Sequence, residues 1–600
     1  MRNYIAPLKD MKFVLKDLLD VEQKYQGYAK FEDKVSMDIM EQYLEVAADF
    51  CQNELLPINA TGDQQGCRLE NGVVTTPDGF KAAYDKYVEL GFTSLTGDEK
   101  YGGQGFPTLY RIAISEIITA TNWSWGMYPG LSHGAMRTLE HHGTDEQKQK
   151  FLVPLIAGRW TGTMCLTESH AGSDLGLIRT KAVPNNDGSY SISGEKIFIS
   201  AGEHDLAENI VHIVLARLPD APAGTKGISL FIVPKFKLDE AGNIADRNGV
   251  VCSSIEHKMG IHGNATCVLN FEEAKGFLIG PENRGLNCMF TFMNSARIGT
   301  AIQGLAAAES SYQGALAYAK DRLAMRSLEG AQAPNLPADP IIVHPAVRNL
   351  LLTQKVFAEG SRSLAYYLAT YADIAEATED ADEKKAAEDR LALLTPIAKA
   401  LMTETGLEAA KHGMQVFGGH GYIAEHGMEQ IARDARIACL YEGTTEIQSI
   451  DLLARKVLGS KLSLLTALTD EIQAYVKEHQ QHPQLSQYVQ QVGELTDQWL
   501  ELTQLIQTQA QKSANEIGAA SVDYLYFSGY VVFAYLWLKM AIVAQQKIDE
   551  GQTDPFYPAK VKTAQFYFER ILPRTCSHRA NIQVGGESLF LLDPEEFKFD

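Results

Sequence analysis

The sequence predicts an α+β chain whose order is helical, β-rich, helical bundle and helical again. Three changes of hydrophobic period carry that prediction. Apolar residues recur at three- and four-residue steps over 1–160, and they alternate with a period of two over 161–280. The helical step then returns over 281–460 and 461–600. Six hundred residues exceed what one hydrophobic core organises, so several domains are expected.

Each stretch has its own signature. In the first, SMDIMEQYLEVAADFCQNEL and DEQKQKFLVPLIAG read as amphipathic helices, the second of them capped. Between them, DEKYGGQGFP is a glycine-rich loop that does not fit G-x-G-x-x-G and follows no predicted strand. In the second stretch, SYSISGEKIFIS reads as a hairpin with a Ser-Gly turn, and GISLFIVPKF and TCVLNFEEA read as strands. Its size suits a small barrel or sandwich. The third holds long helical runs such as RIGTAIQGLAAAESSYQGALAYAKDRLAM and LTPIAKALMTETGLEAAKHGMQVFGG, broken as in an antiparallel bundle. The run EATEDADEKKAAEDR reads as a solvated connection between two of these helices. In the fourth, YLYFSGYVVFAYLWLKMAIV is just long enough to span a bilayer. Its internal Ser-Gly step, Lys539 and the lack of flanking basic clusters predict a buried helix instead, with no membrane contact.

Composition narrows the function. With 54 basic and 75 acidic side chains the net charge is -21, which argues against nucleic acid as a partner, because phosphate backbones need a concentrated basic face. The eight cysteines are scattered and form no C-x-x-C pair, as expected of free thiols in a reducing compartment. The opening MRNYIAPLKDMKFVLKDLLD has no apolar signal region, so a cytoplasmic location is expected. His170, His420 and His426 lack zinc-site spacing, so no metal is expected. No G-x-S-x-G elbow marks a serine hydrolase.

The most informative short stretch is LYEGTTEIQS, 440–449. Thr445 and Gln448 have the spacing of a capping box, which predicts a helix beginning just after Thr445. Glu442 then lies in the loop that enters this helix, where Gly443 permits a tight bend. Taken alone, it reads first as a surface acid placed to complement a positive helix end.

Further motifs stand in a fixed order around it: MCLTESHAGSDLG (164–176), EKIFISAGE (195–203), NSARIGTAIQGL (294–305), QVFGGHGY (415–422) and RDARIACLYEGTTEIQ (433–448). Together these resemble the acyl-CoA dehydrogenase family over roughly residues 30 to 460. The length and the added helical part resemble its bacterial subgroup of long chains, which includes fatty acyl-CoA and 3-methylmercaptopropionyl-CoA dehydrogenases. The resemblance implies that family's fold (an N-terminal helical domain, a central β domain and a four-helix bundle) plus an additional C-terminal helical domain. It implies FAD as cofactor and α,β-dehydrogenation of an acyl-CoA to a trans-2-enoyl-CoA, with medium to long fatty acyl chains favoured. Glu442 matches the family's base, which removes the α-proton while the β-hydrogen leaves as hydride to flavin. A carboxylate buried against an acyl chain and the flavin is raised toward the working range.

Other roles follow residue by residue from the same resemblance. Met164, Cys165, Leu166 and Thr167 match the segment along the isoalloxazine edge. Phe198 and Ser200 match the aromatic and hydroxyl positions on that ring, where many relatives carry Trp and Thr. Arg322, Gln415, Gly419 and Thr444 match cofactor contacts, those to the diphosphate and adenine being shared with a second subunit, which implies a homodimer. Ser173, Arg297 and Gly443 match substrate contacts, and Arg455 lies one residue from another. Ser169-His170 replaces a frequent Pro-Gly, and Glu446 replaces a Gln. An electron-transferring flavoprotein is the implied electron acceptor. The alternatives are 3-(methylthio)propionyl-CoA as substrate, or a non-catalytic CoA-binding relative on the same fold.

Overall fold

A computed structural model describes residues 4–598. These form two compact units, one of 4–6 with 30–299 and the other of 7–29 with 300–598.

The first unit opens with helices α1 (Met37–Phe50), α2 (Thr108–Thr121) and α3 (Trp123–His142). Ser36 caps α1 by accepting the Ile39 N–H at 3.2 Å. Thr144 and Gln147 form a reciprocal capping box at the start of the helical segment containing FLVPLI. A sheet of seven strands follows: β1 (Trp160–Cys165), β2 (Lys181–Pro184), β3 (Tyr190–Ser200), β4 (Asn209–Arg217), β5 (Ile228–Pro234), β6 (Val250–Ile255) and β7 (Thr266–Ile279). Five of them close a ring in the order β7, β3, β2, β4, β5 and back to β7, while β6 extends from β7 and β1 lies parallel to β4. The ring abolishes most free edges, as a small barrel does.

The expected Ser-Gly hairpin does not form. Residues 190–200 are one continuous strand, β3, in which Gly194 pairs with Phe271. Gly194 is required for close approach: a Cβ there would meet the Thr180 hydroxyl at 2.6 Å. Farther along β3 the register slips by one residue, so that Lys196 faces Leu269 while Ile199 faces Cys267. Ile197 and Phe198 thus sit in a β-bulge.

The second unit is helical. From Thr300 it takes the rest of α4 (Gly285–Asp321), then α5 (Pro345–Ala377), α6 (Ala381–Phe417), α7 (Met428–Ala438) and α8 (Thr445–Ile450). It continues with α9 (Ser463–His479), α10 (Ser486–Ala510), α11 (Asn515–Asp549), α12 (Phe556–Phe566) and α13 (Arg574–Val584). Helices α4 and α6 cross backbone to backbone, since a Cβ on Gly304 would lie 2.1 Å from the Met402 carbonyl oxygen. The acidic-lysine run is not mainly a connection. Asp380 accepts the N–H groups of Asp382 and Glu383 at 2.8 and 3.0 Å and starts α6 there, so 381–390 are helical, their outer face solvated. The apolar run 524–543 lies within α11, and 89% of that helix's most apolar window is buried.

An ion network ties the unit's ends together. Asp10 pairs with Arg362 of α5 and Lys560 of α12; Arg362 also meets Glu309 of α4 at 2.7 Å, and Lys560 meets Glu359 of α5 at 2.5 Å. All five side chains are buried.

Candidate active site

Helix α8 starts one residue earlier than the sequence spacing predicts. Thr444 is its N-cap, the hydroxyl accepting the Ile447 N–H at 3.3 Å. The Thr445–Gln448 capping box is absent because both side chains have other partners. The Thr445 hydroxyl donates to Glu404 of α6 at 2.6 Å, and the Gln448 amide donates back to the Glu442 carbonyl at 2.8 Å.

Before this cap the backbone turns left-handed twice, at Glu442 (φ +57°) and Gly443 (φ +88°). The glycine adopts this freely, but a residue with a Cβ loses roughly 1–2 kcal/mol there. Such conformations persist only where surrounding contacts fix them, and they concentrate at functional sites. The fixing contacts are visible. Lys399 of α6 donates to the Gly443 carbonyl at 2.6 Å, and the Tyr441 hydroxyl donates to Gln303 of α4. Just before the turn, burial and the nearby Glu404 carboxylate push the Cys439 thiol up to about 11, so it stays protonated at neutral pH.

A second group of the expected residues gathers at the end of α4. Tyr318 stacks on Phe417 with ring centroids 4.0 Å apart, and its hydroxyl hydrogen-bonds His420 at 2.9 Å. Arg322, one turn beyond Tyr318 and exposed, therefore shares this corner with Gln415 and Gly419, which are also exposed. Within GGHG it is Gly418 that takes the left-handed φ of +59°, while a Cβ on Gly419 would meet open space. Arg455 lies in the helical segment Asp451–Leu458 that follows α8 and pairs loosely with Asp451 at 3.4 Å.

The third group belongs to the first unit. Met164 and Cys165 end β1, and Leu166 and Thr167 follow it. Lys196, fully buried in β3, donates to the Leu166 carbonyl at 2.8 Å and to Glu168 at 2.9 Å. Glu168 also accepts the N–H groups of Arg179 and Thr180 and the Thr180 hydroxyl. Burial works to raise this carboxyl, but Lys196 and these donors hold it below its ordinary value. The Ile197 N–H donates to the Thr167 carbonyl at 2.9 Å, which fastens the loop to the bulge. In the bulge Phe198 has φ +59° and its side chain is 61% exposed. Ser200 is half-buried at the end of the strand, Ser173 is exposed on the loop, and Arg297 is buried in the first half of α4.

Matches to known proteins cover nearly the whole chain. The acyl-CoA dehydrogenase N-terminal, middle and C-terminal domains match residues 38–159, 163–274 and 283–458, and an acetyl-CoA dehydrogenase C-terminal-like domain matches 468–593. A 3-methylmercaptopropionyl-CoA dehydrogenase of Ruegeria pomeroyi is 39% identical over 98% of this chain and 99% of its own. The chain belongs to the acyl-CoA dehydrogenase family. Membership makes it an FAD-dependent oxidoreductase acting on the CH–CH bond of acyl-CoA thioesters. Another acyl-CoA dehydrogenase relative, the broad-specificity linear acyl-CoA dehydrogenase FadE5 of Mycobacterium tuberculosis, is 35% identical over 100% of both chains. The structure of an acyl-CoA dehydrogenase complexed with FAD from Bacillus anthracis shares the fold, with a TM-score of 0.73 at 22% identity over 92% of this chain and 89% of that one.

The residues present suit a flavin. An exposed aromatic face at Phe198, hydroxyls at Thr167 and Ser200, and a loop backbone pinned by Lys196 make up the mixed apolar and hydrogen-bonding surface that a planar polar ring requires. Sequence reasoning missed Lys196, Lys399 and Gln303 as supports of these groups. One of them carries a signal, since Lys399 interrupts the apolar stretch LTPIAKALM destined for burial.

Proposed function

We propose that this acyl-CoA dehydrogenase converts a linear acyl-CoA to the trans-2-enoyl-CoA, with Glu442 as the base. The left-handed Glu442–Gly443 pair at a helix start carries the reading, because nothing about capping requires an acid to adopt that conformation. The carboxylate accepts the proton as the Cα–H bond breaks; the electron pair left on Cα forms the Cα=Cβ bond as the β-hydrogen departs with its own pair. FAD, when bound, supplies the two-electron acceptor for that β-hydrogen. The backbone N–H of Glu442 is assigned to the thioester oxygen, where a preorganised donor stabilises charge developing on the enolate. Phe198, Ser200 and the segment Met164–Thr167 are assigned to the flavin ring. Arg322, Gln415, Gly419 and Thr444 are assigned to the rest of the cofactor in a homodimer, and Ser173, Arg297 and Gly443 to the substrate.

Fatty acyl chains are the first substrate reading, supported by the 35% identity to a linear acyl-CoA dehydrogenase. The second is 3-(methylthio)propionyl-CoA, favoured by the 39% identity to an enzyme named for that substrate. An electron-transferring flavoprotein is the proposed acceptor and the cytoplasm the proposed location. The test follows the visible flavin spectrum anaerobically while butyryl-, octanoyl-, palmitoyl- and 3-(methylthio)propionyl-CoA are added in turn. Bleaching by one of them names the acyl class, and bleaching by none refutes both substrate readings. Glu442→Gln should retain the yellow cofactor and lose at least about two orders of magnitude in reduction rate. Near-normal reduction in that variant overturns the base assignment.

A further inference from the structure

Two consecutive carbonyls of the catalytic turn are held from two different helices. Gln448 of α8 donates to the Glu442 carbonyl at 2.8 Å, and Lys399 of α6 donates to the Gly443 carbonyl at 2.6 Å. Both donor side chains are 0% exposed. Lysine is rarely buried this completely unless its charge or its donors are used. An ammonium-to-carbonyl bond is also shorter and stronger than a neutral one.

Helix α6 reaches the same turn a second time. Glu404 accepts the Thr445 hydroxyl at 2.6 Å, so one helix grips both sides of the Thr444 cap. Fixing the Glu442 and Gly443 carbonyls fixes the peptide planes on both sides of Gly443. That in turn sets the direction of the Glu442 side chain, in a backbone conformation that the residue does not favour by itself.

We propose that Lys399 is a positioning residue for the base, acting through the turn and clamping it together with Gln448. This rests on the assignment of Glu442 as the base. Lys399 touches the turn's carbonyl and acts by keeping the carboxylate aligned with the α-proton. Misplacing a reacting group by about 1 Å lowers rates about 10²-fold, which sets the size of the expected effect.

The test uses the FAD-loaded full chain and whichever of butyryl-, octanoyl-, palmitoyl- or 3-(methylthio)propionyl-CoA bleaches the wild type fastest. Lys399→Met should slow flavin reduction at saturating substrate about 10- to 100-fold, with KM changed less than about threefold. Lys399→Gln, which keeps a neutral donor, should recover part of that loss. In the Glu442→Gln background, Lys399→Met should add nothing, because the group it positions is already gone. A wild-type reduction rate in Lys399→Met overturns the proposal, and so does a loss of the same size in both backgrounds. Should Lys399→Met fail to retain FAD, Lys399→Gln and Gln448→Leu read the clamp by the same two criteria. The base assignment is judged separately: rapid reduction by Glu442→Gln refutes the base, whereas an inactive Glu442→Gln beside an unaffected Lys399→Met refutes only the clamp.

Discussion

At the scale of single residues, the Glu442–Gly443 turn is determined by what its backbone cannot adopt cheaply. Gly443 has φ +88°, and a Cβ there would lie 2.8 Å from the Gln448 amide that holds the Glu442 carbonyl. Gly443→Ala therefore strains the backbone by roughly 1–2 kcal/mol and displaces one of the two carbonyl clamps. Its flavin reduction rate should fall at least about tenfold while the bound flavin spectrum is unchanged, as stopped-flow absorbance would report. The need for Gly443 was legible, because glycine beside a helix start announces a tight bend. The left-handed conformation of Glu442 itself was not, since no local rule places a glutamate there. Thr445 misled for a related reason: its hydroxyl found Glu404 across the bundle, a partner 41 residues away that no window of sequence displays.

At the scale of elements, β3 shows how one strand serves both sheet packing and the anchoring of a loop. Gly194 lets Thr180 approach, Lys196 anchors the loop after β1, and the bulge at Ile197 and Phe198 turns an aromatic ring outward. A serine-glycine pair is a turn signal, which is why a hairpin was expected; here the glycine instead admits Thr180, the residue before β2. Lys196→Met would leave the Glu168 carboxylate buried without its cation. Removing one partner of a buried pair costs about 3–5 kcal/mol. Denaturant unfolding should show a loss of that order, and the purified variant should carry less FAD than the wild type, because the Leu166–Thr167 backbone loses its anchor.

At the scale of the whole molecule, the succession of hydrophobic periods was enough to read the α+β order, since burial on one face imposes period two or 3.6 wherever it occurs. It could not reveal that residues 7–29 fold with 300–598, because the partners in that pairing, such as Asp10 with Lys560 and Phe13 with Phe556, lie far apart in the chain. Burial works to raise the Asp10 carboxyl, but Lys560 and Arg362 outweigh it and lower the group from 3.8 to about 2. The folded state thus favours the ionised form. Its contribution, roughly 2 kcal/mol, is complete above pH 4 and is lost as the pH falls toward 2. Asp10→Asn should lower the melting temperature at pH 7, and its deficit against the wild type should shrink steadily between pH 4 and pH 2. A deficit independent of pH would refute this account of the network.

The same network sets an order of events during protein synthesis. Asp10 is made 550 residues before Lys560. At about 5–20 residues per second the ribosome needs roughly half a minute to two minutes to cross that interval. Residues 30–299 are complete well before it ends, so the first unit can form while translation continues. Phe13, buried in the finished protein, meets the Phe556 ring edge-on with centroids 5.3 Å apart, so it must wait for the far end of the chain, and nascent chains that stall before Phe556 leave that ring without its partner.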